Sequence, residues 1–140
     1  MDIKVTFPGG KRVDAQVGEF LVQTDQPREL GGEAQFIPPF ELFLASLATC
    51  SGIFALGFCQ ARGLSTEGLA LTQRHEYDPS GRKLVKVTME LTLPAGFPET
   101  HRAAIVRAIE NCKVKKAMAE APAFVVDVMN PPEAQATATA

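Results

Sequence analysis

From Leu42 to Cys59 the chain reads LFLASLATCSGIFALGFC, 18 residues without a formal charge. Few architectures accept such a segment. As a helix it is apolar on every face, so lipid, its own chain or another copy must cover it. Eighteen residues is the lower edge of a membrane span. However, Ser46, Thr49, Ser51, Gly52 and Gly57 interrupt the run, and it stands alone among segments that read as soluble strands and helices. The segment is therefore read as the central helix of a soluble core or a dimer, with no membrane partner.

Its surroundings set its limits. Pro38-Pro39 suits a helix start, because proline fits the first helical turn. Gly63 suits a stop just past Arg62. The helix is expected from Phe40 to Arg62, roughly 34 Å long at the standard rise. Before it, Ile3–Phe7, Arg12–Gln16 and Phe20–Thr24 read as strands, followed by a loop over Asp25–Phe36. After it, Glu67–Tyr77 and Leu84–Leu93 read as a hairpin about Asp78-Pro79-Ser80-Gly81. Val85, Val87, Met89, Leu91 and Leu93 share one face of the second strand, the alternation of a half-buried antiparallel pair. Glu99–Asn111 reads as a helix that turns either Ala103, Val106 and Ile109 or Ile105 and Ile109 to the core. A short helix over Val114–Glu120 and a last strand over Ala123–Met129 complete the order.

The fold class is α+β, with antiparallel sheets around a long apolar helix. One small sheet cannot cover a helix that is apolar all round, which predicts an intertwined homodimer wrapping that helix. Residues 1–130 form the single expected domain. Residues 131–140 (PPEAQATATA) have no apolar periodicity and are expected to be a flexible tail.

Composition excludes several function classes. Lys+Arg 14 against Asp+Glu 16 leaves no basic excess to neutralise phosphates, so no nucleic-acid partner is expected. Asp2 and Lys4 stand where the apolar part of a signal peptide would begin, so the cytoplasm is the expected compartment. Three cysteines, an odd number, argue against a disulfide framework. His75 and His101 are isolated, and no CxxC or HxxxH occurs, so neither a metal nor a cofactor is expected. Gly9-Gly10-Lys11 lacks the spacing of a phosphate loop, and no GxSxG elbow is present.

The cysteines remain. Cys50 lies in the middle of the apolar helix, and Cys59, nine residues later, falls on the opposite helical face. Cys112 follows the second helix. A free cysteine commonly just fills space in a core, and Cys59 is read that way.

Three stretches carry a resemblance: Pro27-Arg28-Glu29-Leu30-Gly31-Gly32, Pro39-Phe40-Glu41-Leu42 leading into Ala48-Thr49-Cys50, and Cys112, 62 residues beyond Cys50. In these the chain resembles the OsmC/Ohr family of thiol-dependent peroxidases, over nearly its whole length. The resemblance implies that Cys50 attacks an organic hydroperoxide and becomes a sulfenic acid, in an oxidative-stress response. It implies that Cys112 then condenses with Cys50, and that a dithiol, such as a lipoylated protein, restores the pair. A sulfenic acid does condense readily with a nearby thiol. Phe36, Phe40, Phe43 and Phe54, with Phe58, would suit a greasy alkyl or aryl substrate.

The family activates its cysteine with an arginine from the N-terminal part of the chain, held by a glutamate at the start of the helix. Arg12 is the favoured counterpart here and Arg28 the alternative. The family's glutamate lies ten residues before the cysteine, where this chain has Phe40. Glu41 lies nine before, on the helical face opposite Cys50. It is either part of the catalytic set or a favourable charge at the helix start. Cys112-Lys113-Val114-Lys115 stands where the family commonly has Cys-Pro-Val-Ser, and Lys113, Lys115 and Lys116 bring positive charge close to Cys112. Phe40 also motivates an alternative function: a module that binds a lipophilic ligand or senses thiol oxidation with little turnover. Either way, Cys50 and Cys112 are expected within bridging distance, and Cys59 out of reach.

Overall fold

The structure is a computed structural model, which describes residues 1–129. The expected tail at 131–140, and the domain boundary at 130, lie outside the described residues.

Strands β1 (Ile3–Gly9), β2 (Arg12–Val17) and β3 (Phe20–Thr24) form an antiparallel sheet in that order. Val5 faces Ala15, and Ala15 faces Val22. The β2–β3 turn passes through Gly18 at φ +58°, a left-handed value that glycine adopts without strain. Every residue of β1 is exposed.

The loop that follows is organised by one carboxylate. Asp25 is buried at 1% exposure. Its two oxygens accept the backbone N–H groups of Gln26 at 2.7 Å, Glu33 at 3.1 Å and Gln35 at 3.2 Å. The chain closes so tightly here that a Cβ on Gly32 would lie 1.9 Å from the Gln26 carbonyl oxygen. Pro38 then caps helix α1 (Pro39–Gln60), with Pro39 in its first turn. The helix ends two residues before the expected Arg62, within the usual fraying of a helix end.

Strands β4 (Ala70–Tyr77) and β5 (Leu84–Thr92) form the expected hairpin, with Gln73 opposite Met89. Asp78 closes its turn by accepting the N–H groups of Arg82 and Lys83, both at 3.0 Å. β4 begins three residues later than expected because Gly68, at φ +79°, still belongs to a turn. The expected helix over Glu99–Asn111 opens instead with a 3-10 turn, Glu99–His101, before α2 (Arg102–Ile109). Helix α3 (Lys113–Ala119) follows.

The core lies where α1, α2 and the β4–β5 hairpin meet. Ala55, Phe58 and Cys59 of α1 pack on Ile105 and Ile109 of α2, with Leu71, Met89 and Leu91 closing over them. Of the two faces open to α2, the Ile105/Ile109 face is the buried one, while Val106 is exposed. Among the described residues α1 is the one helix long and apolar enough to cross a membrane, and a third of its apolar window is buried within this chain.

One expected element is absent. Ala123–Met129 has a strand's composition but no strand's ladder. Phe124 is 87% exposed and Val126 90%. A strand needs a neighbour for its backbone N–H and C=O groups, and among the described residues no strand pairs with it.

Candidate active site

Two elements bring the site together. Helix α1 presents Cys50 and Ser51 side by side, with the Leu47 carbonyl one turn earlier. The junction between α2 and α3 presents Cys112. Its N–H bonds back to the Ile109 carbonyl at 3.2 Å, and its own carbonyl accepts the Lys116 N–H at 3.2 Å, which starts α3. The Cys112 side chain is thereby turned under α1, where it is fully buried.

The Cys112 sulfur lies 3.9 Å from the Leu47 carbonyl oxygen, a long contact for a thiol donor. The Cys50 thiol and the Ser51 hydroxyl are also its neighbours, as are the N–H groups of Val114 and Lys115. Burial alone would push the Cys112 thiol up. The Lys115 N–H, the Ser51 hydroxyl, the Cys50 thiol and the Val114 N–H outweigh it and hold the thiol below its ordinary value. Cys50 is half-buried, so it is the more accessible of the two sulfurs. Ser51 Oγ is completely buried and has no partner in ordinary hydrogen-bond geometry, so the Cys112 sulfur is the group it serves.

Cys59 stands apart in the core cluster, and burial pushes its thiol up. All three cysteines are free thiols.

The other expected site residues are not gathered around Cys50 within one chain. Arg12 pairs with Asp14 at 2.8 Å, and its guanidinium lies 4.8 Å from the centre of the Phe36 ring. Arg28 lies in an exposed 3-10 turn, Arg28–Leu30, and lines a shallow cleft with Gly32, Glu33 and Gln35. Glu41 is exposed in the first turn of α1, half a helical turn around from Cys50. Among the described residues no ion pair or hydrogen bond joins Arg12, Arg28 or Glu41 to Cys50. Within one chain β2's own carboxylate, Asp14, holds Arg12, and helical phase turns Glu41 away from Cys50, as its spacing implied.

The phenylalanines divide as well. Phe40 and Phe43 stack on the exposed side of α1, with ring centres 6.0 Å apart. Phe36 belongs to the Arg12 cluster. Phe54 lines an apolar cleft of about 420 Å³ that runs to Asn111, the neighbour of Cys112. A second cleft, of about 500 Å³, is lined by Leu47, Val87, Met89, Lys115, Met118 and Ala119. Each cleft is lined by residues close in sequence to a thiol, Asn111 in the first and Leu47 and Lys115 in the second.

Sequence reasoning missed Ser51 and the Leu47 carbonyl. The signal for Ser51 was present: a hydroxyl next to Cys50 in an otherwise apolar helix has to find a buried partner.

The family described as OsmC-like protein matches residues 32–127, the span that holds α1 and both thiols. The chain belongs to the OsmC-like family. No curated protein matches it. Solved structures do. An osmotic stress induced and detoxification response protein from Psychrobacter arcticus 273-4 is similar at 22% identity, covering 82% of this chain and 85% of that one, with a TM-score of 0.66. An OsmC like protein from Mycoplasma pneumoniae is 16% identical, covering 86% and 87%, with a TM-score of 0.67. An organic hydroperoxide resistance protein OsmC from Legionella pneumophila, also named a redox protein and regulator of sulfide bond formation, is 22% identical. It covers 84% and 89%, with a TM-score of 0.54. At these identities the solved structures establish the OsmC-like fold: mixed α and antiparallel β, with the long helix at its centre.

Proposed function

We propose that this OsmC-like chain is a thiol-dependent peroxidase that reduces organic hydroperoxides through Cys50 and Cys112, in a stress or redox role. The observation that carries this reading is the pairing, side by side in one chain, of a half-buried thiol with a buried one. Family membership and the names of the Psychrobacter and Legionella relatives support it.

The steps follow from the chemistry. The Cys50 sulfur attacks the outer peroxide oxygen, the O–O bond breaks, and the alkoxide takes a proton and leaves as the alcohol. Cys50 is then a sulfenic acid. The Cys112 sulfur attacks the Cys50 sulfur, an S–S bond forms, and the oxygen leaves as water. A dithiol, for which a lipoylated protein is the expected donor, returns both thiols. Three free thiols suit a reducing compartment, the cytoplasm.

The working unit in this proposal is a homodimer. Ile53, Phe40 and Phe43 on α1, all of β1, and the segment Phe124–Met129 leave apolar surface open in one chain. A second copy would cover α1 and give the last segment a ladder partner. The cation expected of Arg12 or Arg28 would then reach Cys50 only across that interface.

The test is consumption of cumene hydroperoxide with a dithiol reductant. Wild type should turn over, and Cys50→Ser should lose at least 100-fold of that rate, a drop of about 2.7 kcal/mol in transition-state stabilisation. Equal rates would overturn the proposal. A second reading, a thiol sensor with little turnover, is favoured by Phe40 at the family's glutamate position and by the pairing of Arg12 with Asp14 within its own chain. A single stoichiometric oxidation without further consumption would select it.

A further inference from the structure

The groove between α1 and α2 is hollow because its walls are small. Gly57 of α1 and Ala104 and Ala108 of α2 line it, with Phe54 and Phe58 as its apolar floor. A Cβ on Gly57 would meet nothing within 4 Å. The hollow measures about 420 Å³. Small-molecule sites run from about 300 to 1,000 Å³ and combine apolar walls with a few convergent polar groups.

The polar groups here are two guanidiniums from two elements, Arg62 just past the end of α1 and Arg107 on α2. Arg62 lies over the Phe58 ring, 3.9 Å from its centre, and its Nη1 donates to the Phe58 carbonyl at 3.4 Å. These contacts hold its plane against the apolar floor. Arg107 is exposed, and among the described residues neither arginine belongs to an ion pair. Asn111 also lines the cleft. Its amide donates to the Arg107 carbonyl at 3.3 Å, and its oxygen accepts from Lys116 Nζ at 3.3 Å, which brings a third cation close to that end. No acidic side chain lines the cleft, and Glu110, the nearest in sequence to Arg107, is exposed outside it.

Like charges beside one apolar hollow repel, more so where the walls exclude water. An anion seated between them turns that repulsion into attraction. A guanidinium meets a carboxylate through two parallel hydrogen bonds, which fixes the orientation as well as the charge. The floor, in turn, suits an apolar body.

We propose that the α1–α2 cleft binds an amphipathic carboxylate, with its alkyl or aryl body on Phe54 and Phe58 and its anion on Arg62 and Arg107. The site is separate from the thiol pair, since neither Cys50 nor Cys112 lines it. It therefore does not rest on the peroxidase reading. Ile53, also in the lining, belongs to the apolar surface given above to a second copy. Arg62 stands nine residues farther along the chain, and the two guanidiniums make no use of that surface.

The experiment is isothermal titration calorimetry of the reduced full-length protein with octanoate and with 3-phenylpropionate, each compared with its neutral amide. At least one acid should bind saturably at one site per chain, tenfold or more tighter than its amide. Arg107→Gln should weaken that acid at least tenfold and leave the amide unchanged, a split that a loss of packing would not produce. Arg62→Gln should act in the same direction. Arg107 is exposed and unpaired, so without ligand its variant should melt as wild type does. Gly57→Leu places a side chain in the open hollow and should weaken acid and amide alike. Failure of both acids to bind would overturn the proposal. So would an acid no tighter than its amide, an affinity indifferent to Arg107→Gln, or a Gly57→Leu variant that binds like wild type. No hydroperoxide is present, so this result and that of the peroxidase assay can each fail without the other.

Discussion

Single residues fix the parts of this molecule that no periodicity describes. Asp25 is the clearest case. Burial raises its carboxyl, but the N–H groups of Gln26, Gln35 and Glu33, aided by the Arg12 charge, bring it below the usual carboxylate range. A carboxylate lowered on folding contributes stability that is complete above its unfolded value of about 3.9 and is lost as pH falls through the folded value. Asp25→Asn should therefore unfold at a lower temperature than wild type at pH 7, and the gap should narrow as pH drops below about 4. Thermal melts across pH 3 to 7 measure it; a gap that does not change with pH would mean the charge of Asp25 contributes nothing. Little of this was legible beforehand. Pro27 and Gly31-Gly32 marked the segment as a loop, but nothing local says that one aspartate eight and ten residues away will collect its N–H groups. Cys50 and Cys112 were legible for a different reason: their order and spacing carry the family resemblance, and α1 and the α2–α3 junction bring them together.

Elements were easier to read, because hydrophobic period and turn residues act locally. The three N-terminal strands, the β4–β5 hairpin and α1 all stand close to their expected limits. The differences come from tertiary packing. Helix α2 offered two apolar faces, and contact with Ala55, Phe58 and Cys59 selected Ile105 and Ile109. Ile105→Ala should cost about 2–5 kcal/mol. Val106→Ala, on the exposed face, should stay within about 0.5 kcal/mol. Urea denaturation of the two variants checks the assignment, and a reversed order would place the other face in the core. The last segment shows the opposite failure. Phe124-Val125-Val126 reads as a strand by composition, yet pairing is not a property of one segment, and the described residues supply no paired neighbour.

At the scale of the whole molecule, the uncharged run is still the governing fact. One third of the apolar window of α1 is buried in one chain, β1 is exposed throughout, and the closing segment is apolar and unpaired. In the proposed dimer these surfaces cover one another. Sedimentation equilibrium should give twice the 15.0 kDa chain mass at micromolar concentration, and a 15.0 kDa species there would contradict that assembly. The pairing of the two sulfurs does not wait on that result, because both come from the same chain. It is tested most directly by adding one equivalent of cumene hydroperoxide to the reduced protein, blocking the remaining thiols, and mapping the peptides without reduction. The account predicts a single bridge between Cys50 and Cys112 of one chain, with Cys59 recovered as a free thiol. A bridge that includes Cys59, or Cys50 recovered as sulfinic acid with no bridge at all, would contradict it.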